Sequence, residues 1–120
     1  MKIYTCRSMS GRKKEEVVFD ALIDKHFLEQ AGFTVLCPVI AEGVSSTSEV
    51  LLASKKEMDV FWYRDKEMIR EANVIFDMSP DRKSEGVAHE IGYARYSLWK
   101  PIVRVYPTGK LPPASSVAIF

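Results

Sequence analysis

One stretch constrains the fold more than any other. It reads Ala72-Asn73-Val74-Ile75-Phe76-Asp77-Met78-Ser79-Pro80, a few polar residues, Ser84-Glu85-Gly86-Val87-Ala88-His89-Glu90-Ile91-Gly92-Tyr93-Ala94, and then Lys100-Pro101-Ile102-Val103. The first run predicts a buried strand, Ser84 and Gly86 open a helix, and the last run predicts another strand. Strands that alternate with helices pair in parallel through right-handed crossovers. Such open sheets bind ligands beyond the carboxyl ends of their strands, where a helix N-terminus offers backbone N–H groups to an anion. Glu90 lies one helical turn beyond Gly86 on the same side, so a ligand that approaches the bare backbone at Gly86 meets the Glu90 carboxylate.

The alternation extends through the chain. The apolar run Ile3 to Cys6 is followed by the polar, Gly-containing Arg7 to Arg12. Val17, Val18, Ala21, Leu22, Phe27 and Leu28 then recur at near-helical spacing. Gly32 stops that helix, Phe33 to Leu36 is a short strand, and Pro38 to Ser48 is a loop placed to cover a site. A second helix is predicted from about Glu49 to Glu71, interrupted near Asp59. The third, about Ser84 to Trp99, carries the core stripe Val87, Ile91, Ala94 and Leu98. Ser115 to Phe120 reads as a last short strand or a helix start, and the abrupt apolar end suggests that the natural protein continues or packs on a partner. The expected architecture is one domain over 1–120: a Rossmann-like, three-layer α/β/α fold on a mostly parallel sheet of about five strands.

Composition narrows the function. A chain of 120 residues with 47% apolar and 28% charged residues has the make-up of one globular domain. The net charge is only +1 and the basic residues are dispersed apart from Arg12-Lys13-Lys14, which argues against nucleic acid and for a small ligand. The start shows no signal-like apolar stretch, and no run approaches the roughly 18 apolar residues of a membrane span, so a cytoplasmic protein is expected. Cys6 and Cys37 lack metal-ligand spacing and read as small buried residues; neither metal nor organic cofactor is expected.

Four features converge at the carboxyl edge of such a sheet: the Arg7 to Arg12 loop, Asp65, Asp77, and the helix start from Ser84 to Glu90. Taken singly, each has an ordinary explanation. A lone Glu on an amphipathic helix is usually solvated, and an Asp after a strand often caps the next turn.

Together they carry a family resemblance. Asp65-x6-Ala72-Asn73-Val74, Ser84-x-Gly86-x3-Glu90-x-Gly92-x-Ala94 and Lys100-Pro101 resemble the nucleoside 2-deoxyribosyltransferase superfamily, over most of the chain. Within it the chain is more similar to the nucleoside 5'-monophosphate N-glycosidases, since Ile3 to Gly11 resembles that branch's Tyr-Phe-Cys-Gly-Ser-Ile-Arg-Gly start. The resemblance implies Glu90 as the nucleophile on the anomeric carbon, Tyr4 as the hydroxyl that orients it, and Asp65 as the proton-transfer residue. An ionised carboxylate is suited to that task, because it stabilises an oxocarbenium-like centre and traps it covalently.

Ser84 matches the Ser that distinguishes the branch, at a helix start suited to phosphate or to a plain N-cap, and Ser8 and Gly11 match its N-terminal phosphate loop. Ser10 stands where the branch has Arg and Arg7 where it has Gly, which leaves Arg7 or Arg12 to supply the positive charge. Ser115 or Ser116 falls near the Ser that reaches a neighbouring subunit's phosphate site, so the resemblance also implies a homodimer with sites near the interface. His89, at i−1, is expected to point away from Glu90 as a surface residue, and Trp62 and Trp99 are expected in core or dimer contacts. The implied activity is hydrolysis of a (deoxy)nucleoside 5'-monophosphate to base and sugar phosphate. Transfer of 2-deoxyribose between bases and a non-catalytic nucleotide-binding module are the alternatives.

Overall fold

The computed structural model describes residues 1–9, 11–41, 55–82 and 84–106. Its centre is β1 (Lys2–Cys6), in which Ile3, Tyr4, Thr5 and Cys6 are all buried. That burial on both faces is what a parallel sheet requires, because its crossovers lay helices on either side. β1 pairs in parallel with β2 (Thr34–Leu36) on one edge and β3 (Val74–Asp77) on the other. β3 pairs in turn with β4 (Ile102–Arg104), giving the order β2-β1-β3-β4.

α1 (Lys14–Gln30) links β1 to β2, and Gly32, at φ 96, closes it in the left-handed conformation that costs glycine little. α2 (Pro38–Ala41) stands where the sequence predicts loop; four residues are too few to show a helical period. α3 (Lys55–Glu71) runs without the break expected near Asp59. The expected third helix divides in two: α4 (Glu85–Gly92) continues into a π-helical turn at Tyr93–Ser97. Four strands are present among the described residues against about five expected. The fifth, expected within Ser115 to Phe120, lies outside them.

The alternation of strand side chains separates two cores. Tyr4, Cys6, Ile75 and Ile102 pack with Ile69 and Ala72 at the end of α3, and with Val87 of α4 and Ala94 of the π turn. Ile91 and Leu98 pack against this cluster, which confirms the predicted stripe. Ile69 and Ile75 are fully buried, each removing apolar surface worth about 1.5–3 kcal/mol. On the opposite face Ala21 of α1 meets Val35 and Cys37. The sheet is thus the middle of three layers.

α1 departs from its expected apolar face: Val17 and Ala21 point inward, whereas Phe19, Leu22 and Phe27 are at least half exposed. At the other end of the sheet, Lys100 donates from Nζ to the carbonyl oxygens of Arg70 (2.9 Å) and Ala72 (2.7 Å), capping α3. The Lys100-Pro101 pair therefore has a structural task. Trp99 before it is 86% exposed and holds φ 56, a left-handed conformation that disfavours a bulky side chain; it belongs to no core.

Candidate active site

Strand register places the chemistry. Tyr4, Ile75 and Ile102 are aligned across β1, β3 and β4, and one step nearer the carboxyl edge Cys6, Asp77 and Arg104 form a polar row on the same face. α3 and α4 cover that face, and α4 lowers Glu90 toward β1. The Tyr4 hydroxyl donates to Glu90 Oε2 at 3.0 Å, joining residues 86 positions apart.

Burial, then the Glu90 charge, then the Asp65 charge push the Tyr4 phenol far above its ordinary value. It therefore remains an O–H donor at every working pH, and a buried donor aimed at a carboxylate holds it in one orientation. The Asp65 charge, on α3, thus acts on the same phenol that donates to Glu90. Cys6 borders it. Its thiol is raised by burial first and by the Glu90 and Asp77 charges next, which keeps it protonated and weakly nucleophilic.

α4 begins at Ser84, whose Oγ accepts from the Val87 N–H at 3.4 Å as a helix N-cap. Gly86 sits one turn before Glu90. A Cβ placed on Gly86 would meet only Ser84 Oγ, at 3.8 Å, so space lies open above it. Gly86→Ala is therefore expected to keep or raise stability, by up to about 1 kcal/mol from helix propensity, while raising KM because the methyl enters the ligand's side of the helix. Urea melts and steady-state kinetics on the one variant check both halves; an unchanged KM would remove Gly86 from the binding face.

In the loop after β1 both arginines carry ion pairs to α1. Arg7 is almost wholly buried and pairs with Asp24 of α1, and Arg12 pairs with Asp20 at 2.6 Å. Ser8 is 1% exposed, and its backbone N–H donates to Ser79 Oγ at 2.7 Å. Gly11 holds φ 71 in a turn closed by the Arg12 N–H on the Met9 carbonyl. Both guanidinium groups are thus committed to α1, and Ser8 is tied to the loop after β3. Ser10, Ser115 and Ser116 lie outside the described residues.

Asp77 is 5% exposed, and its Oδ1 accepts from the Ser79 N–H at 3.1 Å, the side-chain-capped turn that an Asp after a strand favours. Burial raises its pKa, opposed by the Ser79 hydrogen bond and by the Arg104 charge. A carboxyl raised in the fold binds its proton more tightly than in the unfolded chain. Keeping it ionised therefore costs stability as pH rises above about 4, the ordinary carboxylate value. Asp77→Asn retains an acceptor for Ser79, so it is expected to match or exceed the wild type in urea midpoint at pH 7 and to lose any advantage below about pH 4. A variant less stable than wild type at pH 7 would contradict this.

His89 is exposed, as expected, with its ring 6.3 Å from that of Trp62, which also meets Tyr93 at 6.0 Å. Trp62 closes the outer side of the α3–α4 seam. Among the described residues no group of His, Cys, Asp or Glu is arranged to hold a metal ion, and no helix is long and apolar enough to cross a membrane.

The sheet thus carries a Tyr–Glu pair under α4, with the Asp65 charge acting on the same phenol. The nucleoside 2-deoxyribosyltransferase family model matches residues 3–111, and the chain belongs to that family. Its members are enzymes that act on nucleosides or nucleotides. The fold is similar to that of the 2-deoxyribosyltransferase of the psychrotolerant bacterium Bacillus psychrosaccharolyticus, with TM-score 0.69 and 24% identity over 94% of this chain and 77% of that one. It is also similar to the CMP N-glycosidase of Clostridium botulinum, with TM-score 0.53 and 19% identity over 87% of this chain and 67% of that one. Among curated protein sequences none matches the chain.

Proposed function

We propose that this protein is a cytoplasmic N-glycosidase that cleaves a (deoxy)nucleoside 5'-monophosphate into free base and sugar 5-phosphate. The observation that carries the reading is the Tyr4 hydroxyl held 3.0 Å from Glu90 Oε2, with the Asp65 charge acting on the same phenol. In the first step a Glu90 oxygen bonds to the anomeric carbon as the C–N bond breaks. The bonding pair leaves with the base, and Asp65 delivers the proton that the base requires. In the second step water attacks the same carbon, Asp65 takes its proton, and the Glu90 ester bond breaks. One water is consumed and the carboxylates return to their starting states.

The phosphate is read as seated at the start of α4, where Ser84 and the bare backbone at Gly86 lie one turn from Glu90. Asp77 borders that edge. The exposed apolar side chains of α1, together with Tyr96 and Trp99, support a homodimer. In that assembly Ser115 or Ser116 of the partner subunit would complete the phosphate site.

A second reading, transfer of 2-deoxyribose from one base to another, is favoured by the pairing of Arg7 and Arg12 with Asp24 and Asp20, which commits both arginines of the first loop to α1. Both readings share the glycosyl-enzyme. Incubation with matched nucleosides and 5'-monophosphates, with and without a second base, separates them by chromatography of the products. Hydrolysis with higher kcat/KM for the monophosphates, weakened by Ser84→Ala, is the expected result. Equal kcat/KM for both forms, with a new nucleoside formed when a second base is present, would establish transfer instead. No turnover of any substrate would leave a non-catalytic binding module.

A further inference from the structure

The strand order β2-β1-β3-β4 sets β1 beside β3, yet the two strands lead away from each other. β1 runs through α1 to β2 on one side, and β3 runs through α4 to β4 on the other. Their carboxyl ends therefore border the crevice in which open α/β sheets receive ligands. Glu90 meets β1 at Tyr4, two residues before the end of that strand.

The ladder between the two strands runs up to the Met78 N–H, which donates to the Cys6 carbonyl at 2.9 Å. One more parallel step would take the Ser8 N–H to the Met78 carbonyl. It goes instead to Ser79 Oγ, at 2.7 Å, and both serines are buried. A side-chain hydroxyl thus stands in for a main-chain acceptor where the strands part, so the chains diverge without leaving the buried Ser8 N–H unpaired.

Ser79 is itself fixed. Its N–H donates to Asp77 Oδ1 at 3.1 Å, and its carbonyl accepts from the Arg82 N–H at 3.1 Å, closing a turn through Pro80. The loop after β1 is held from the opposite side by the ion pairs of Arg7 and Arg12 with Asp24 and Asp20 of α1. Ser79 Oγ ties that loop to β3.

We infer that Ser79 is a positioning residue: it sets the distance between the loop after β1 and the start of α4, and with it the width of the crevice at Glu90. It acts through the Ser8 backbone and touches no reacting atom. The inference rests on the reading of this edge as the substrate site.

Ser79→Ala isolates the side chain, because the backbone bonds to Asp77 and Arg82 remain. Ser79→Thr restores the hydroxyl. Ser79→Cys, close to Ser in size but a weak acceptor, supplies an intermediate case should the Ala variant fold poorly. The substrate is whichever of the matched nucleosides and 5'-monophosphates the wild type turns over fastest.

Ser79→Ala is expected to raise KM by about three- to tenfold, the span that the net worth of one hydrogen bond allows, with kcat within about twofold of wild type. Ser79→Cys should fall between, and Ser79→Thr should return KM to within about twofold of wild type. A residue that only supports the fold would instead reduce the amount of active enzyme, lowering apparent kcat with KM unchanged. That pattern, or a Thr variant no better than Ala, would overturn the inference. Hydrogen exchange at the Ser8 amide, read by NMR against that of Ile75 in the sheet, tests the tie without any substrate. Exchange faster by about tenfold in Ser79→Ala supports it, and equal protection overturns it. If the wild type turns over none of these compounds, the N-glycosidase reading fails, while exchange at Ser8 still decides for or against the tie.

Discussion

Glu90→Gln is expected to lower kcat by on the order of 10⁴-fold or more while leaving the fold intact. The amide keeps an acceptor for the Tyr4 hydroxyl, so the buried phenol stays satisfied, but it does not form the ester that a carboxylate forms. Glu90→Ala removes the acceptor as well. That variant should lose about 1–3 kcal/mol of stability on top of its activity, the cost of leaving a buried donor without a partner. Comparing the two by urea melts and turnover separates the structural part of the Tyr4–Glu90 contact from the chemical part. A Gln variant within tenfold of wild-type kcat would remove Glu90 from the nucleophile's role.

The next largest effect is expected at Asp65. Asp65→Asn can no longer pass a proton to the departing base or accept one from water, and a fall in kcat of roughly 10²- to 10⁴-fold is the usual worth of that transfer. The loss should depend on the leaving group. A base that leaves readily without protonation suffers less, whereas a poor leaving base suffers the full amount. The variant's pH–rate profile should also lose the limb that Asp65 controls. An unchanged profile with all bases slowed alike would make Asp65 a residue that only positions Tyr4.

Periodicity made much of the frame legible. The run Ile3 to Cys6 is apolar at every position because β1 lies at the centre of a sheet covered on both faces. The stripe Val87, Ile91, Ala94 and Leu98 survives the change from α to π winding because all four still meet one core. Shorter or two-sided elements were not legible. α2 spans less than two helical turns, and α1 carries apolar residues on its outer side as well as its inner one, so its pattern does not say which face is buried.

The candidate site divides in the same way. Gly86 and Glu90 are one turn apart and their shared face follows from helix geometry, but Tyr4 meets Glu90 only through the sheet, and Asp65 acts on Tyr4 only through the packing of α3. No spacing in the chain announces that meeting; the family resemblance does. The commitments of Arg7 to Asp24 and of Arg12 to Asp20 depend on how α1 lies over the first loop, so the sequence shows the charges and not their partners.

The glycosyl-enzyme itself is the most direct test. Wild-type protein mixed with a slowly cleaved 5'-monophosphate, quenched in acid during turnover and digested, should yield the peptide containing Glu90 with a mass increment equal to the sugar phosphate. Asp65→Asn should accumulate more of it if its second step slows more than its first. Steady release of base with no adduct on any peptide, or an adduct on a residue other than Glu90, would contradict the account.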